Sequence, residues 1–372
     1  MEKWSKVKLG EIAFITSSKR IFAREYQKEG IPFYRGKEII EKHNGNSVST
    51  QLYISKKRYD EIKSKYGVPV PGDILLSSVG TLGVPWLVDE EKFYFKDGNL
   101  TWLRCNEKCI PKFLYLWFNS AEAKNQIEVM CIGSTQKALT IDALNKFNVS
   151  LPPFEVQKKI CNVIYSIMDK IRTNDEINRN LLEQCDAIYK DMFEINFDDN
   201  WRVGYLSELI TIKYGKDHKK LGNGNIPCYG SGGVMRYVEK SIYDHESVLI
   251  PRKGTLNNVL YVNTPFWSVD TMFYTVMKLA NVAKFVYHFV KEKDLDSMNA
   301  GSAVPSMTTD ILYAMELRIP SDDVLAKFED LVSPLYKAIS DNRVENKKLA
   351  EARDTLLPKL MTGELDVSAL EM

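Results

Sequence analysis

Asp73, Glu90 and Lys92 stand in the order acid, acid–x–lysine, the set that holds a metal ion against a phosphodiester in metal-dependent nucleases. The spacing is loose and the second half of the chain has no counterpart, so no nuclease centre is assigned. Leu151-Pro152-Pro153-Phe154 comes within one residue of the Asp/Asn-Pro-Pro-Tyr/Phe motif of adenine methyltransferases. There the first side chain holds the amino group being methylated, and Leu151 cannot accept that hydrogen bond. No glycine-rich loop for S-adenosylmethionine and no P-loop for ATP is present. His43, His218, His245 and His288 are scattered, and Cys105-x3-Cys109 lacks a second ligand pair, so no zinc is expected. The chain reads as non-catalytic, with no cofactor or metal of its own.

What remains is the chemistry of recognition. Reading a base edge takes Arg, Lys, Asn, Gln, Ser or Thr at a groove, with further cations on phosphates. In the first half such residues cluster at Ser17-Ser18-Lys19-Arg20 with Arg24, at Arg35 and Lys37, at Ser77-Ser78-Val79-Gly80-Thr81, and at Gly133-Ser134-Thr135-Gln136-Lys137. Gly80 and Gly133 let backbone approach a phosphate, and Gln136 carries the donor and acceptor that match adenine. The second half offers Lys213, Tyr214, Lys216, His218, Lys219 and Lys220 in one stretch, then Tyr229 and Ser231 in YGSGG. It adds Arg252, Lys253, Thr255, Asn257 and Asn258 in RKGTLNN, and Asn299 with Gly301-Ser302. Any one of these cations is equally well a solvated surface charge, and any Gly-Ser pair a plain turn. The clusters carry the reading.

The elements that position these clusters occur twice. GSTQKALTIDALNKFNVSLP (133–152) returns as GSAVPSMTTDILYAMELRIP (301–320). Trp4-x4-Leu9-x-Glu11-Ile12 returns as Trp201-x4-Leu206-x-Glu208-Leu209, Ile31-Pro32-Phe33-Tyr34 as Ile226-Pro227-Cys228-Tyr229, Gly80-Thr81-Leu82 as Gly254-Thr255-Leu256, and Lys112-Phe113-Leu114-Tyr115 as Lys284-Phe285-Val286-Tyr287. The offset falls from 197 to 168 along the copy, so the fronts differ by deletions and the backs run without a gap. Period-two stretches at 72–76 and 246–250 predict strands, Asn44-Gly45 and Asp97-Gly98 tight turns, and KFLYLWF (112–118) and KFVYHFV (284–290) a buried helix.

The back of each copy predicts one long helix. Steps of four and three from Ile160 reach Ile164, Ile167, Ile171, Asn174, Asn178, Leu181, Cys185, Ile188 and Met192. The same walk from Phe328 reaches Val332, Leu335, Ile339, Asn342, Asn346, Leu349, Arg353, Leu356 and Leu360. Sustained 3.5-residue spacing argues for a coiled-coil seam. Pro152-Pro153 marks the start of the first helix and Gly363 the end of the second, while Pro334 predicts a kink or break near residue 333. Matching the helix centres antiparallel sets Asn174 against Asn346 and Asn178 against Asn342, polar layers of the kind that fix register. A parallel match would set Asn174 against Asn342.

Charge alternates with the same period. Residues 1–150 carry 23 Lys and Arg against 17 Asp and Glu, and residues 201–320 carry 14 against 11. The helical segments reverse this, with 6 against 10 over 151–200 and 7 against 11 over 321–372. Basic fronts suit a polyanion; acidic backs do not. The six cysteines form no paired framework, no apolar run approaches a membrane span, and the first ten residues lack a signal peptide's apolar stretch. A cytoplasmic protein with reduced thiols is expected.

RDTLLPKLMTGEL (353–365) closely resembles the C-terminal signature of specificity subunits of type I restriction–modification systems, and LPPFEVQKKI (151–160) resembles the motif after their first recognition domain. The resemblance spans the whole chain. Val156 departs from an acidic residue of that motif, and Pro320-Ser321-Asp322-Asp323 keeps only one of its prolines. The resemblance implies an α+β fold: target-recognition domains at 1–152 and 198–320, separated by long helices at 153–197 and 321–363 that form an antiparallel coiled coil, with a tail at 364–372. It implies a non-catalytic subunit that reads the two halves of a split, asymmetric site in double-stranded DNA. The implied partners are two modification subunits, which methylate adenine with S-adenosylmethionine, and motor-nuclease restriction subunits using ATP and Mg²⁺. A helix of roughly 40 residues is about 60 Å long, the scale on which two readers meet one face of a duplex about a helical turn, ~34 Å, or a multiple apart. The alternatives are a specificity module of a fused or atypical restriction system and a coiled-coil interaction scaffold; the basic fronts favour DNA.

If the asparagines set register, replacing Asn174, Asn178, Asn342 and Asn346 together by Leu raises the melting temperature and loosens helix pairing; an unchanged melting curve and pairing contradict it.

Overall fold

The computed structural model describes residues 4–50, 52–131, 138–298 and 306–367. The chain divides into two compact units, one of residues 1–173 with 345–372 and the other of residues 174–344. The first unit therefore draws on two segments far apart in sequence, and the second is one continuous stretch.

In the first unit, Ser5–Lys8 pairs antiparallel with Asn148–Leu151 and closes the head on itself. A four-stranded antiparallel sheet follows the order Ala13–Thr16, Leu100–Cys105, Ile74–Ser77, Pro85–Leu87. The helix Pro111–Phe118 is embedded along its apolar face, with Phe113, Leu114, Trp117 and Phe118 at most 1% exposed. Proline at its first turn gives up no hydrogen bond there. A second sheet contains the parallel pair Phe33↔Tyr94 and Tyr34↔Phe95. Two helices, Gly36–His43 and Lys56–Tyr66, pack beside it.

The second unit repeats this plan. Val203–Tyr205 pairs with Glu316–Arg318. The main sheet runs Ile210–Tyr214, Met272–Met277, Ser247–Pro251, Leu260–Val262, the same strand order as its counterpart. The parallel pair recurs as Cys228↔Trp267 and Tyr229↔Ser268. Thr140 and Thr308 cap equivalent short helices, Ile141–Asn145 and Thr309–Tyr313, each hydroxyl accepting from the amide three residues on. The fronts diverge where the first head has its two helices: the second has a β-hairpin, Asn223–Gly230 with Gly233–Val238. That exchange coincides with the fall in offset from 195 to 174.

The long helices are Phe154–Lys190 and Asp322–Thr362. All twenty seam positions named above are buried or half-buried. Within the first unit, Ile160 and Ile164 share a core with Leu356, Leu360 and Met361, Asn346 Nδ2 donates to the Ile171 carbonyl (3.4 Å), and Lys170 pairs with Glu345 (3.4 Å). Within the second, Asn342 Nδ2 donates to Asn178 Oδ1 (2.9 Å), and Cys185 and Tyr189 pack with Phe328, Val332 and Tyr336. In both, numbers rise along one helix as they fall along the other, so the pairing is antiparallel. The second helix continues through Pro334, so of the kink or break expected near residue 333 there is no break. Pro334 is exposed, as is Asp330, whose carbonyl a proline four residues on cannot pair, and Val332 and Leu335 pack into the core. Gly363, at φ +73°, ends the helix against Trp4, and Leu360, Met361 and Val367 enter the core that holds Leu9 and Ile12.

The second unit joins head to helices through buried polar groups. His288 places Nδ1 2.7 Å from Asp186 Oδ1 and Nε2 2.9 Å from the Tyr336 hydroxyl. Lys291 donates to the other Asp186 oxygen (2.6 Å), and buried Lys284 donates to Glu329 (2.5 Å). Burial raises the Asp186 carboxyl, but His288 and Lys291 outweigh it and hold it below its usual range. For His288, burial among Tyr189, Tyr287 and Phe328 outweighs Asp186 and holds the imidazole below its usual range, hence neutral. The first unit has Leu116 at the equivalent position.

Leu360→Ala should cost about 2–5 kcal/mol, read as faster hydrogen exchange in the first unit's core; unaltered exchange there would show that the chain's end is not part of that core. Because folding lowers the His288 pKa, the unfolded state takes up the proton first as pH falls below about 6.5. The thermal midpoint should therefore drop from pH 7 to 5.5 more steeply in the native chain than in His288→Gln; equal slopes would contradict this.

Candidate nucleic-acid interface

In both heads the third-order strand of the main sheet runs into a glycine-bearing loop. Ile74–Ser77 leads to Ser78–Thr81, and Ser247–Pro251 leads to Arg252–Thr255. Gly80 (φ +80°) and Gly254 (φ +89°) turn these loops in a conformation that favours glycine. The same chain segment then braces each loop from the side: Val79 bridges Ala138 and Lys253 bridges Ser306. Leu139 N–H donates to the Ser78 carbonyl (3.0 Å) and Met307 N–H to the Arg252 carbonyl (2.9 Å). Two clusters distant in sequence thus converge at an equivalent place in each head. Ser134, Thr135, Gln136, Lys137, Ser302 and Asn299 lie outside the described residues.

In the first head, Arg35 and Lys37 face Val79, Gly80 and Thr81 across an open groove, with Asn99 at its side. Ser77 and Ser78 do not present their hydroxyls there, which corrects the sequence reading. Ser77 Oγ donates to the Thr81 carbonyl (2.5 Å) and accepts from Val84 N–H (2.9 Å); Ser78 Oγ lies 2.6 Å from Thr101 Oγ1. They shape the loop that exposes Thr81. Arg35 is held by Glu38, its guanidinium 2.9 Å from Oε1, while that carboxylate also accepts the Arg35 backbone N–H (2.8 Å). Arg20 pairs with Asp97 (2.8 Å) and Lys37 with Glu41 (3.6 Å), both cations remaining largely exposed. Lys19 lies over the Tyr66 ring and Arg24 over Phe22.

The second head is barer. Lys213, Tyr214, Lys216, Lys219 and Lys220 are exposed on a strand end and loop. That loop is pinned by Trp267 Nε1 donating to the Lys216 carbonyl (2.9 Å) and by the amide of Lys219 donating to Asp217 Oδ1 (3.0 Å). The Lys219 amide and the neighbouring cations hold the Asp217 carboxyl below its usual range. His218 is half-buried between them. Arg252 lies 5.3 Å from the Tyr214 ring centre. Asn258 Nδ2 donates to the Ser231 carbonyl (2.8 Å), and a Cβ on Gly254 would meet Ser231 Oγ at 2.7 Å, so YGSGG and RKGT are packed together. Asn257 instead braces its own loop against Asp294 and Asp296. Tyr229 is half-buried and turns toward a cleft beside the helices. Thr255 and Lys253 are exposed. Asp73 of the nuclease-like triplet is buried and accepts from Trp102 Nε1 (2.8 Å) and Val70 N–H (2.9 Å), a bracing role within the sheet.

Exposed cations, amides and hydroxyls at paired loops can grip phosphates and read base edges. Sequence reasoning passed over Arg343 and His288. Arg343 replaces Asp175 of the first copy inside otherwise matched text, ISDNRVEN against IRTNDEIN, and that mismatch was its signal.

The comparisons with known proteins agree on one family. Residues 1–185 and 198–349 match the type I restriction modification DNA specificity domain. A putative type I restriction enzyme specificity subunit of Haemophilus influenzae is 32% identical over 169 residues, covering 45% of this chain and 40% of that one. The match thus spans less than half of that relative's length. The MjaIX specificity subunit of Methanocaldococcus jannaschii is 22% identical over 305 residues, 70% of each chain. A crystal structure of the type I S subunit from M. genitalium shares the fold with a TM-score of 0.62 at 18% identity, covering 96% of both chains. No helix among the described residues is long and apolar enough to cross a membrane.

Proposed function

The chain belongs to the type I restriction–modification DNA specificity family, and from that premise we propose that it directs a modification and restriction complex to a bipartite DNA site, each head reading one half. The observation that carries the reading is the paired loop. Ser78–Thr81 and Arg252–Thr255 are braced alike in both heads, yet carry different side chains. An equivalent platform with dissimilar contents is what two readers of dissimilar half-sites require. The chain supplies recognition; methyl transfer from S-adenosylmethionine and ATP- and Mg²⁺-dependent cleavage fall to two modification subunits and to restriction subunits docked on it, in the cytoplasm.

Selection from random duplex, using the full chain with its modification subunits, should return two short specified blocks separated by unspecified base pairs. Lys253→Gln should relax or weaken only one block, and binding should fall steeply with salt. A single continuous block, or loss in both blocks from that substitution, contradicts the reading. Full chain incubated alone with labelled S-adenosylmethionine and DNA should transfer no methyl group.

A further inference from the structure

The second unit contains a cleft between one candidate recognition cluster and the second long helix. One wall is the hairpin turn of YGSGG, with Tyr229 and Gly233; the other is the second long helix, with Ser340 and Arg343. Tyr261 and Tyr287 lie between, and the cleft has a volume of about 370 Å³, room for a phosphate and the sugar that carries it. Its polar groups are phenols, amides, a hydroxyl and one guanidinium. No carboxylate is among the described residues that line it.

Arg343 is the unusual member. It sits in an acidic segment, 7 Lys and Arg against 11 Asp and Glu over 321–372, where an ion-pair partner would be easy to supply. Its neighbours are otherwise engaged: Asp341 pairs with Lys337 (2.6 Å), and Asn342 bonds Asn178. Among the described residues Arg343 itself makes no hydrogen bond or ion pair. Burial raises the phenols of Tyr229 and Tyr287, and the nearby Arg343 charge opposes that rise. Gly233, at φ +111°, has nothing within 4 Å of where a Cβ would stand, which leaves its backbone open to close approach. In the first copy the position of Arg343 is Asp175, so the feature belongs to one half of the chain alone.

We propose that this cleft binds a phosphate group, with Arg343 as its cation and the Tyr229 and Tyr287 hydroxyls as supporting donors, those of Tyr261 and Tyr336 being engaged by Glu246 and His288. A guanidinium presents a planar fork of donors that matches phosphate oxygens. The phosphate has two available sources: the backbone of DNA gripped by the second head, or a free nucleotide. The DNA source rests on the function proposed above and is the one the geometry favours, because the Tyr229–Gly233 wall is continuous with the Arg252–Asn258 loop through the Asn258–Ser231 bond. On that source the long helix is itself part of the DNA interface, contributing affinity without sequence preference.

The test compares the full-length chain with Arg343→Gln and Arg343→Lys on a duplex carrying the selected site. Arg343→Gln should lower the salt dependence of log K by about one ion, leave the selected sequence unchanged, and leave the thermal midpoint unchanged; Arg343→Lys should retain most of the slope. In a second arm, calorimetry follows adenosine monophosphate binding to the same three proteins without DNA. Saturable binding lost in Arg343→Gln, with the DNA slope unaltered, supports the cleft and assigns a free nucleotide as its source. Equal slopes with no nucleotide binding overturn the proposal. If the native chain binds no DNA at all, the proposed function fails, and the nucleotide arm alone decides the cleft.

Discussion

Each half of this protein depends on burying an apolar seam that runs the length of a helix. A helix of 37 or 41 residues with an apolar face every three or four residues has no stable life in water by itself. The heads cover only part of each face. Ile160 and Ile164 find partners in Leu356 and Leu360, and Tyr189 finds Phe328, Val332 and Tyr336. Because the partners lie on the other helix in reversed order, the first unit must take in residues 345–372 beside residues 1–173, while the second is the continuous stretch 174–344. The first head cannot complete its core until the last turn of the chain arrives with Leu360, Met361 and Val367.

Apolar seams alone tolerate slippage, and the polar groups within them remove that freedom. Asn178 bonded to Asn342 and Asn346 bonded to the Ile171 carbonyl are satisfied in one register, and a shift by one heptad would bury amides against Leu or Ile. The Asp186–His288–Tyr336 chain does the same where the second head meets its helices. The first head, with Leu116 in place of histidine, is held instead by buried Gln157 of its helix, which accepts from Ile110 N–H (2.9 Å) and donates to the Lys108 carbonyl (2.9 Å). One fold thus carries two differently built joints beneath its two heads.

Much of this was legible in the sequence because it follows from period and repetition. The 4,3 walk picked out twenty positions that the fold buries or half-buries, and KFLYLWF and KFVYHFV are the embedded helices their apolar runs imply. Paired text located the paired loops. What was not legible depends on contacts between distant segments. Pro334 reads as a breaker locally, yet packing by Val332 and Leu335 carries the helix past it. Ser77 and Ser78 look like groove donors, but the strand ahead of them buries both, and their hydroxyls turn inward to Thr81, Val84 and Thr101. Arg35 reads as a free cation and is tied to Glu38. His288 seemed one of four scattered histidines until its helix was set against Asp186 and Tyr336.

The antiparallel seam is tested most directly by short thiol-reactive crosslinking of engineered cysteine pairs, mapped by peptide mass spectrometry. Asn178→Cys with Asn342→Cys should crosslink rapidly within one chain, while Asn174→Cys with Asn342→Cys should not. Efficient crosslinking of the 174–342 pair with none at 178–342 would mean the helices run parallel, and the two-segment construction of the first unit would be wrong.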